Sequence, residues 1–531
     1  MAKPTLDKDL KRLTSLERLT RETSRGLVPL GLSCLFLVLV GLMTGSVVGL
    51  DTGWTIIVAA AVIGGYMALN IGANDVANNM APAVGSRALH IGVAIAIAAV
   101  FETAGALIAG GDVVATVSSG IINPAAMPSP GLFVVAMISA LFAAALWINL
   151  ATWIGAPVST THSVVGGVLG GGIAMAGFGA ADWGVVGRIV ASWVVSPVLG
   201  GAIAAAFLGY IKLTILDAPD KLEQARRRVP LLVAVMAGAF SAYLLMKGMS
   251  RVMTIPLSVA LGAGVAVWLA TWVAVRPLIA RQVATLRGRT TSVGDLFTVP
   301  VICGAALLSF AHGANDVANA IGPLAAIYTT ITHGELRAQA VIPFWILLIG
   351  AGGITMGLML FGPKLVRTVG SNITKLNRIR AFCVTLSAAI TVIVASALGL
   401  PVSSTHIAIG ALFGVGFLRE YLEHRRRNGL FAGHFSAPLA AASILDPQSQ
   451  EGNGYSTAAA TAPTSAAAAD TVADVAADAD RSREKLRRRY LVRRSHLITI
   501  IAAWLITVPA SAAIAAALSL LLRLLGLPGL S

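Results

Sequence analysis

Two acidic strings that recur unchanged are the residues in this sequence best suited to chemistry. The run Gly-Ala-Asn-Asp-Val-Ala-Asn occupies positions 72–78 and returns at positions 313–319. In each copy the carboxylate, Asp75 or Asp316, follows an apolar run. An ionisable side chain at such a place is costly to bury and marks a candidate functional site. A single Asn-Asp pair often does no more than cap a helix, but the identical recurrence favours a shared function.

Carboxylate and amide oxygens side by side are ligands suited to a small, hard cation. The glycine that opens each string, Gly72 or Gly313, tolerates backbone geometry outside the helix, so we expect both helices to be interrupted there. An interrupted helix frees backbone carbonyl oxygens, which coordinate cations in transporters. The predicted cation-coupling residues of these strings are Asn74, Asp75, Asn315 and Asp316.

A second pair of recurring strings is rich in hydroxyl groups. Pro-Val-Ser-Thr-Thr-His lies at positions 157–162 and Pro-Val-Ser-Ser-Thr-His at positions 401–406. Proline suits a helix start, and the free N–H groups and dipole of a helix N-terminus attract anions. An ordinary serine or threonine cap explains one copy, whereas two copies favour an oxyanion site. The predicted oxyanion ligands in these strings are Ser159, Thr160, Thr161, Ser403, Ser404 and Thr405.

Three further polar residues belong with these strings. Glu102 stands alone in an apolar run and is a candidate for cation coupling, although the aligned stretch 346–354 has no acidic residue. His162 and His406 end the hydroxyl strings, and histidine titrates near neutral pH. The two histidines are interpreted either as proton carriers or as donors that fix the hydroxyl loops.

The four strings contain no lysine or arginine. An oxyanion placed beside Asp75 and Asp316 is therefore repelled unless cations enter with it. Moving net negative charge inward against a membrane potential costs about 2.3 kcal/mol per 100 mV. Because cations held by the carboxylates relieve both penalties, the sequence favours coupled symport over a passive channel.

Composition places these strings in a bilayer. The 531 residues are 56% hydrophobic and 12% charged, with a mean hydropathy of +0.81, whereas soluble domains carry about 25% charged residues. Backbone groups in lipid must be paired internally, which favours helices. At about 20 apolar residues per crossing, the apolar runs predict an all-α integral membrane protein. We expect about 10–12 transmembrane helices in two repeats, either parallel or inverted, with some broken or re-entrant helices.

The distribution of charge predicts the orientation. The net charge of +15 is concentrated between the apolar runs, and lysine and arginine mark cytoplasmic loops. We therefore predict a multi-pass cell-membrane protein with a cytoplasmic N-terminus, a cytoplasmic 425–495 loop and no nucleic-acid partner. The apolar run 27–50 is longer than the about 7–15 residues of a signal peptide, so it is predicted to be a retained helix.

The order of the strings indicates a tandem duplication. The acidic strings are 241 positions apart and the hydroxyl strings 244, and secondary transporters commonly place a substrate site between such repeats. The segment 446–480, rich in alanine, threonine, serine and aspartate, is predicted to be a disordered linker. The predicted divisions are an N-terminal arm (1–26), repeat 1 (27–211), a connector with two helices (212–296), repeat 2 (297–424), a cytoplasmic loop (425–495) and a final helix (496–531).

At these strings the sequence resembles the inorganic phosphate transporter (Pit) family, which includes the sodium-phosphate symporters of eukaryotes. The stretch 309–323 is similar to the family's second signature, and the resemblance covers about residues 54–418. It implies an inverted-repeat helical fold, a homodimer, and phosphate bound between the two halves. It also implies that Asp75, Asn78, Asp316 and Asn319 bind phosphate and its coupling cations, while the hydroxyl strings contact the oxyanion. The lone Glu102 departs from members with an acidic residue in both halves.

The resemblance predicts import of inorganic phosphate by symport with sodium, protons or a metal–phosphate complex. The expected partners are phosphate, the coupling cation and the lipid bilayer, with no resident cofactor or metal and no catalytic residue. A sulfate permease of the same architecture is the nearest alternative. A membrane-embedded enzyme is disfavoured because the eight histidines and three cysteines show no ligand spacing. A passive anion channel is the third alternative.

Overall fold

Both acidic strings lie in long helices, and the part of the chain that the structure describes is almost entirely helical. The computed structural model describes residues 27–49, 53–154, 158–248, 255–286, 293–336, 342–372, 376–427 and 494–526. Pro157, the N-terminal arm and the linker at 446–480 fall outside these ranges. Within them, an isolated bridge between Ile122 and Ala181 is the only β pairing. The helices are α1 (Leu27–Val48), α2 (Trp54–Gly85), α3 (Ile91–Ala109), α4 (Gly111–Ala115), α5 (Pro130–Ile154), α6 (Thr160–Ala176), α7 (Trp183–Ile211), α8 (Lys221–Gly248), α9 (Leu257–Leu286), α10 (Thr298–His333), α11 (Phe344–Asn372), α12 (Arg378–Ala397), α13 (Ser404–Arg427) and α14 (Arg494–Leu524).

The helices have the length and composition of membrane spans. Among the described residues, 11 helices are long and apolar enough to cross a bilayer, which agrees with the number predicted from the apolar runs. Helix α6 has 17 residues, fewer than the about 20 of a full crossing, and it begins inside the first hydroxyl string. The prediction of an all-α chain with about 10–12 transmembrane helices is confirmed.

The predicted interruption at the acidic strings is wrong. Helix α2 has 32 residues and α10 has 36, and each runs unbroken through its string. The glycines serve helix packing instead. A Cβ atom on Gly72 would collide with the carbonyl oxygen of Ile354, and one on Gly313 would collide with that of Glu102. Glycine is required because the neighbouring backbone occupies the space of a side chain.

These close approaches occur in matching pairs. Helix α2 lies against α11, where Gly357 faces the carbonyl of Leu69. Helix α3 lies against α10, where Gly105 faces the carbonyl of Phe310. Between the two pairs, the hydroxyls of Thr103 and Thr355 lie 2.6 Å apart. Each half of the chain therefore packs its acidic helix against a helix of the other half.

The helices that carry the hydroxyl strings also have close partners: α6 packs against α14, and α13 packs against α7. On α6, a Cβ atom on Gly166 would lie 2.6 Å from the carbonyl oxygen of Val508 in α14. On α13, the corresponding Gly410 faces the carbonyl of Pro197 in α7. The Ser511 hydroxyl also donates to the Ser163 carbonyl at 2.5 Å. Helix α14 thus occupies against α6 the position that α7 occupies against α13.

The sequence carries a signal for this equivalence that the motif analysis missed. The pattern Ile-x-Ala-x-Trp followed by Ala-Ile-Ala-Ala-Ala spans positions 189–206 and returns at 500–517. The chain clusters into two units, Met1–Val415 with Arg494–Ser531, and Gly416–Arg493. All four strings and α14 belong to the first unit.

Candidate functional site

The carboxylates of the acidic strings are buried and face the hydroxyl strings. Asp75 is 1% exposed and Asp316 is fully buried. Thr160 donates to Asp75 Oδ2 at 3.0 Å, and Ser404 donates to Asp316 Oδ2 at the same distance. Because the two bonds join equivalent residues, each half places its own hydroxyl string on its own carboxylate.

The third hydroxyl of each string crosses to the opposite half. The amide of Asn78 donates to Thr405 Oγ1 at 2.7 Å, and the amide of Asn319 donates to Thr161 Oγ1 at 3.1 Å. Thr405 also donates to Asp75 Oδ1 at 3.2 Å. The four strings therefore form one polar cluster. The two halves contact each other through the side chains predicted to hold phosphate.

The first hydroxyl of each string caps its helix. Ser159 Oγ accepts the N–H of His162 at 3.2 Å, and Ser403 Oγ accepts the N–H of His406 at 3.3 Å. This is the usual N-cap geometry, in which a side-chain oxygen satisfies a free N–H group near the helix start. The side chains of Ser159 and Ser403 therefore act as helix caps, which is the alternative to an oxyanion ligand that the sequence offered for them.

The first asparagine of each acidic string, Asn74 or Asn315, forms hydrogen bonds with the backbone at the start of a hydroxyl string. Asn74 donates to Asp75 Oδ1 at 2.8 Å and to the carbonyl of Val158 at 3.3 Å. Asn315 accepts the N–H of Val402 at 3.3 Å and donates to the Leu400 carbonyl at 3.1 Å. These bonds fix where each hydroxyl string begins relative to its carboxylate.

His312 lies in the stretch 309–323 but was not predicted to belong to the site, and in the structure it lies among the carboxylates. Its Nε2 lies 2.8 Å from Asp316 Oδ2 and 3.9 Å from Asp75 Oδ2. Its Nδ1 lies 3.4 Å from Glu102 Oε1. One ligand atom each from Asp75, His312 and Asp316 lies within 4.8 Å of the others, a set able to hold a metal ion.

Glu102 joins the site from α3 and breaks the equivalence of the halves. It is fully buried, and Asn79 donates to its Oε1 at 2.8 Å. In the other half the positions that match Asn79, Glu102 and His312 hold Ala320, Ile354 and Ile71. Three polar residues without polar counterparts thus meet at one place. A polar residue opposite an apolar one in aligned repeats is the signal by which the sequence could have shown this group.

The two motif histidines belong to an aromatic cluster near the hydroxyl strings. The rings of His162 and His406 lie 4.5 Å apart between centroids, and Trp193 stacks on His162 at 3.6 Å. His162 Nδ1 lies 2.8 Å from Ser159 Oγ. This contact fits a histidine that fixes the hydroxyl loop, and the alternative of a proton carrier stays open.

The cluster combines groups for both signs of charge. Asp75, Asp316 and Glu102 offer carboxylate oxygens, and the hydroxyl strings with Asn78 and Asn319 offer neutral donors. A polar site of this kind, buried between related halves of a multi-pass helical chain, is typical of a secondary transporter.

Comparisons with known proteins agree with this class. A family model described as the phosphate transporter family matches residues 71–515, so the chain belongs to that family. The match extends beyond the expected limit at 418 and includes much of α14. The Pit resemblance drawn from the four strings is confirmed.

Individual relatives cover most of the chain. The “Putative phosphate permease” of Helicobacter pylori (strain J99) is 42% identical over 521 residues, 96% of this chain and 98% of the relative. A protein of the same name from Haemophilus influenzae is 37% identical over 365 residues, 68% of this chain and 87% of the relative. A solved structure titled “The sodium-dependent phosphate transporter” has a TM-score of 0.70 and 33% identity, covering 88% of this chain and 99% of its own.

Proposed function

We propose that this protein imports inorganic phosphate by symport with cations. The observation that carries the proposal is the contact between each buried carboxylate and a hydroxyl string, Asp75 with Thr160 and Asp316 with Ser404. Without a cation, the carboxylates hold the hydroxyl donors that an oxyanion needs. A cation on a carboxylate neutralises its charge and frees those donors, so cation and phosphate bind together.

Each residue group has a role in this proposal. Asn74, Asp75, Asn315, Asp316 and Glu102 hold the coupling cations. Phosphate binds between the halves, to the side chains that in this structure form hydrogen bonds from one half to the other. These oxyanion ligands are Asn78, Asn319, Thr160, Thr161, Ser404 and Thr405, with the backbone at Ser159 and Ser403.

The two halves are proposed to be inverted. Counted from α2 and leaving out the five-residue α4, seven helices come before α10, and one of them is the 17-residue α6. If each crosses the bilayer, this odd number gives α10 the orientation opposite to α2. The same path places the basic ends near 212–228, 276–289, 364–380 and 419–427 on one side, as expected for cytoplasmic loops. The N-terminus then lies in the cytoplasm, and the family resemblance favours a homodimer.

Purified protein in proteoliposomes tests the function. Radiolabelled phosphate uptake is measured with an inward sodium gradient, an inward proton gradient, both or neither. We expect accumulation above the external concentration with at least one gradient, and little competition from excess sulfate. Equal uptake without any gradient would indicate a channel, and strong competition by sulfate would favour the sulfate permease. The solved sodium-dependent relative makes sodium the first cation to test.

A further inference from the structure

The side chain of Trp193 contacts both hydroxyl strings. It lies in α7 and is 9% exposed. Its ring stacks on His162 of the first string at a centroid distance of 3.6 Å. Its indole N–H donates to the carbonyl oxygen of Pro401, the first residue of the second string, at 3.1 Å.

We propose that Trp193 is a positioning residue that sets the spacing of the two hydroxyl strings and thereby the affinity for phosphate. This inference rests on the proposed function. Trp193 bonds to neither of the carboxylates nor to the hydroxyls that cross between the halves, so it acts through other residues. Its effect reaches the first string through His162 and the second through the Pro401 backbone.

The contact with the first string continues to a capping hydroxyl. Trp193 holds the plane of the His162 ring, whose Nδ1 lies 2.8 Å from Ser159 Oγ. Ser159 caps α6, and the next two hydroxyls contact Asp75 and Asn319. A tilt of the histidine ring therefore shifts the start of α6 and both hydroxyls that follow it.

The contact with the second string is anchored by helix packing. Helix α7 is fixed to α13 where Gly201 faces the Gly410 carbonyl and Gly414 faces that of Gly201. Trp193 therefore moves with the second string while its ring contacts the first. A buried carbonyl such as that of Pro401 needs a hydrogen-bond donor. The indole N–H provides that donor from the opposite half.

Radiolabelled phosphate uptake by full-length variants in proteoliposomes tests the proposal. Trp193→Phe retains a ring to stack on His162 but loses the donor to Pro401, whereas Trp193→Leu loses both. We expect the KM for phosphate to rise about two- to tenfold in Trp193→Phe, the range for one lost hydrogen bond, and further in Trp193→Leu. The maximal rate per inserted molecule and the dependence on the cation gradient should change little.

Trp183→Phe is the matched control. Trp183 lies at the start of the same helix, and its indole N–H also donates to a backbone carbonyl, that of Phe178, at 3.1 Å. It is 53% exposed and contacts no string. Its substitution should leave the KM unchanged, although it removes the same kind of bond at the same distance.

The outcomes separate this inference from the proposed function. If the unaltered protein shows no saturable phosphate uptake, the proposed function fails. If it does, and Trp193→Phe lowers only the amount inserted or the maximal rate, Trp193 is merely structural and the inference fails. Should Trp193→Phe not fold, replacement by β-(3-benzothienyl)alanine keeps the ring system and removes only the donor. An unchanged KM in that variant would also overturn the inference.

Discussion

At the scale of single residues, the site is organised around carboxylates whose described partners are neutral donors and one histidine, without lysine or arginine. Asp316 receives the Ser404 hydroxyl and lies beside His312, and Asp75 receives hydroxyls from both halves. Buried charges without a permanent counter-ion are costly. In the proposed symport the site releases its cation in every cycle and so cannot hold a permanent one, which gives this cost a functional reason.

Asp316→Asn tests the charge with little change of shape. The amide can still bond to Ser404, but it cannot neutralise a bound cation. We expect phosphate uptake at low phosphate to fall about tenfold or more, because removing one partner of a buried charge pair costs about 3–5 kcal/mol. Gradient-driven uptake in proteoliposomes measures this, with Asp182→Asn as control because Asp182 caps α7 outside the site. Normal accumulation in both Asp316→Asn and Asp75→Asn would remove the carboxylates from the mechanism.

The asymmetric group tests whether His312 and Glu102 act as a pair. His312→Ile introduces the residue found at the matching position of the first half. Among the described residues, it leaves the buried Glu102 with Asn79 as its remaining polar partner. Breaking a buried pair in this way costs about 3–5 kcal/mol, whereas replacing both partners by apolar residues is often nearly neutral. We therefore expect a large loss of thermal stability in His312→Ile and partial recovery in the double variant with Glu102→Ile.

Thermal unfolding in detergent measures this recovery, and uptake measures function separately. The double variant should remain poor in transport, because the carboxylate proposed to couple a cation is gone. A double variant less stable than either single variant would contradict the pairing of the two residues.

At the scale of helices, the recurring feature is a glycine at which the backbone of another helix packs closely. Gly72 and Gly313 were expected to break their helices, yet they keep α2 and α10 intact and close to α11 and α3. The rigid pairing of helices from different halves holds Asp75 and Asp316 at fixed positions relative to each other.

Gly313→Ala should therefore destabilise the protein although alanine favours a helix. The added methyl collides with the Glu102 backbone, and overpacking of this kind costs about 1–3 kcal/mol. Gly262→Ala on α9 is the matched control, since a Cβ atom there meets nothing within 4 Å, and it should be neutral or stabilising by about 0.5–1 kcal/mol. Thermal unfolding of both variants in detergent checks the difference. Equal stability would mean that the close approach of α3 and α10 is not required.

At the scale of the whole molecule, helices of one half pack against helices of the other half. Helix α14 comes after the long 428–493 segment in sequence, yet it lies against α6 at the first hydroxyl string, where Ser511 bonds to Ser163. It also accepts the indole N–H of Trp147 at Thr507, 3.3 Å away. The last helix is therefore part of the structure that supports the site.

Two deletions separate the linker from the helix that follows it. Removing residues 446–480, predicted to be a linker by composition, should leave phosphate uptake per inserted molecule unchanged. Removing residues 494–531 should abolish uptake, because α6 loses the helix that packs on Gly166 and Gly170. Uptake at equal membrane abundance measures both. Loss of uptake in the first deletion would assign the linker a role in transport, and normal uptake in the second would make α14 dispensable.

The sequence by itself determined the class of structure and most members of the site. Its apolar runs require helices in a bilayer, and its recurring strings identify Asp75, Asp316 and the hydroxyl residues, because two copies of one motif preserve the same residue types. These conclusions depend on local composition and on repetition, both of which can be read along the chain.

Tertiary structure decided which of these residues meet. The bonds from Asn78 to Thr405 and from Asn319 to Thr161 join different halves, and no local pattern encodes which half supplies a partner. The role of His312 became visible only once α3 and α10 lay side by side, and the role of the glycines only once another backbone filled their space. Such contacts are set by how whole helices pack, so they belong to the fold rather than to any segment of the sequence.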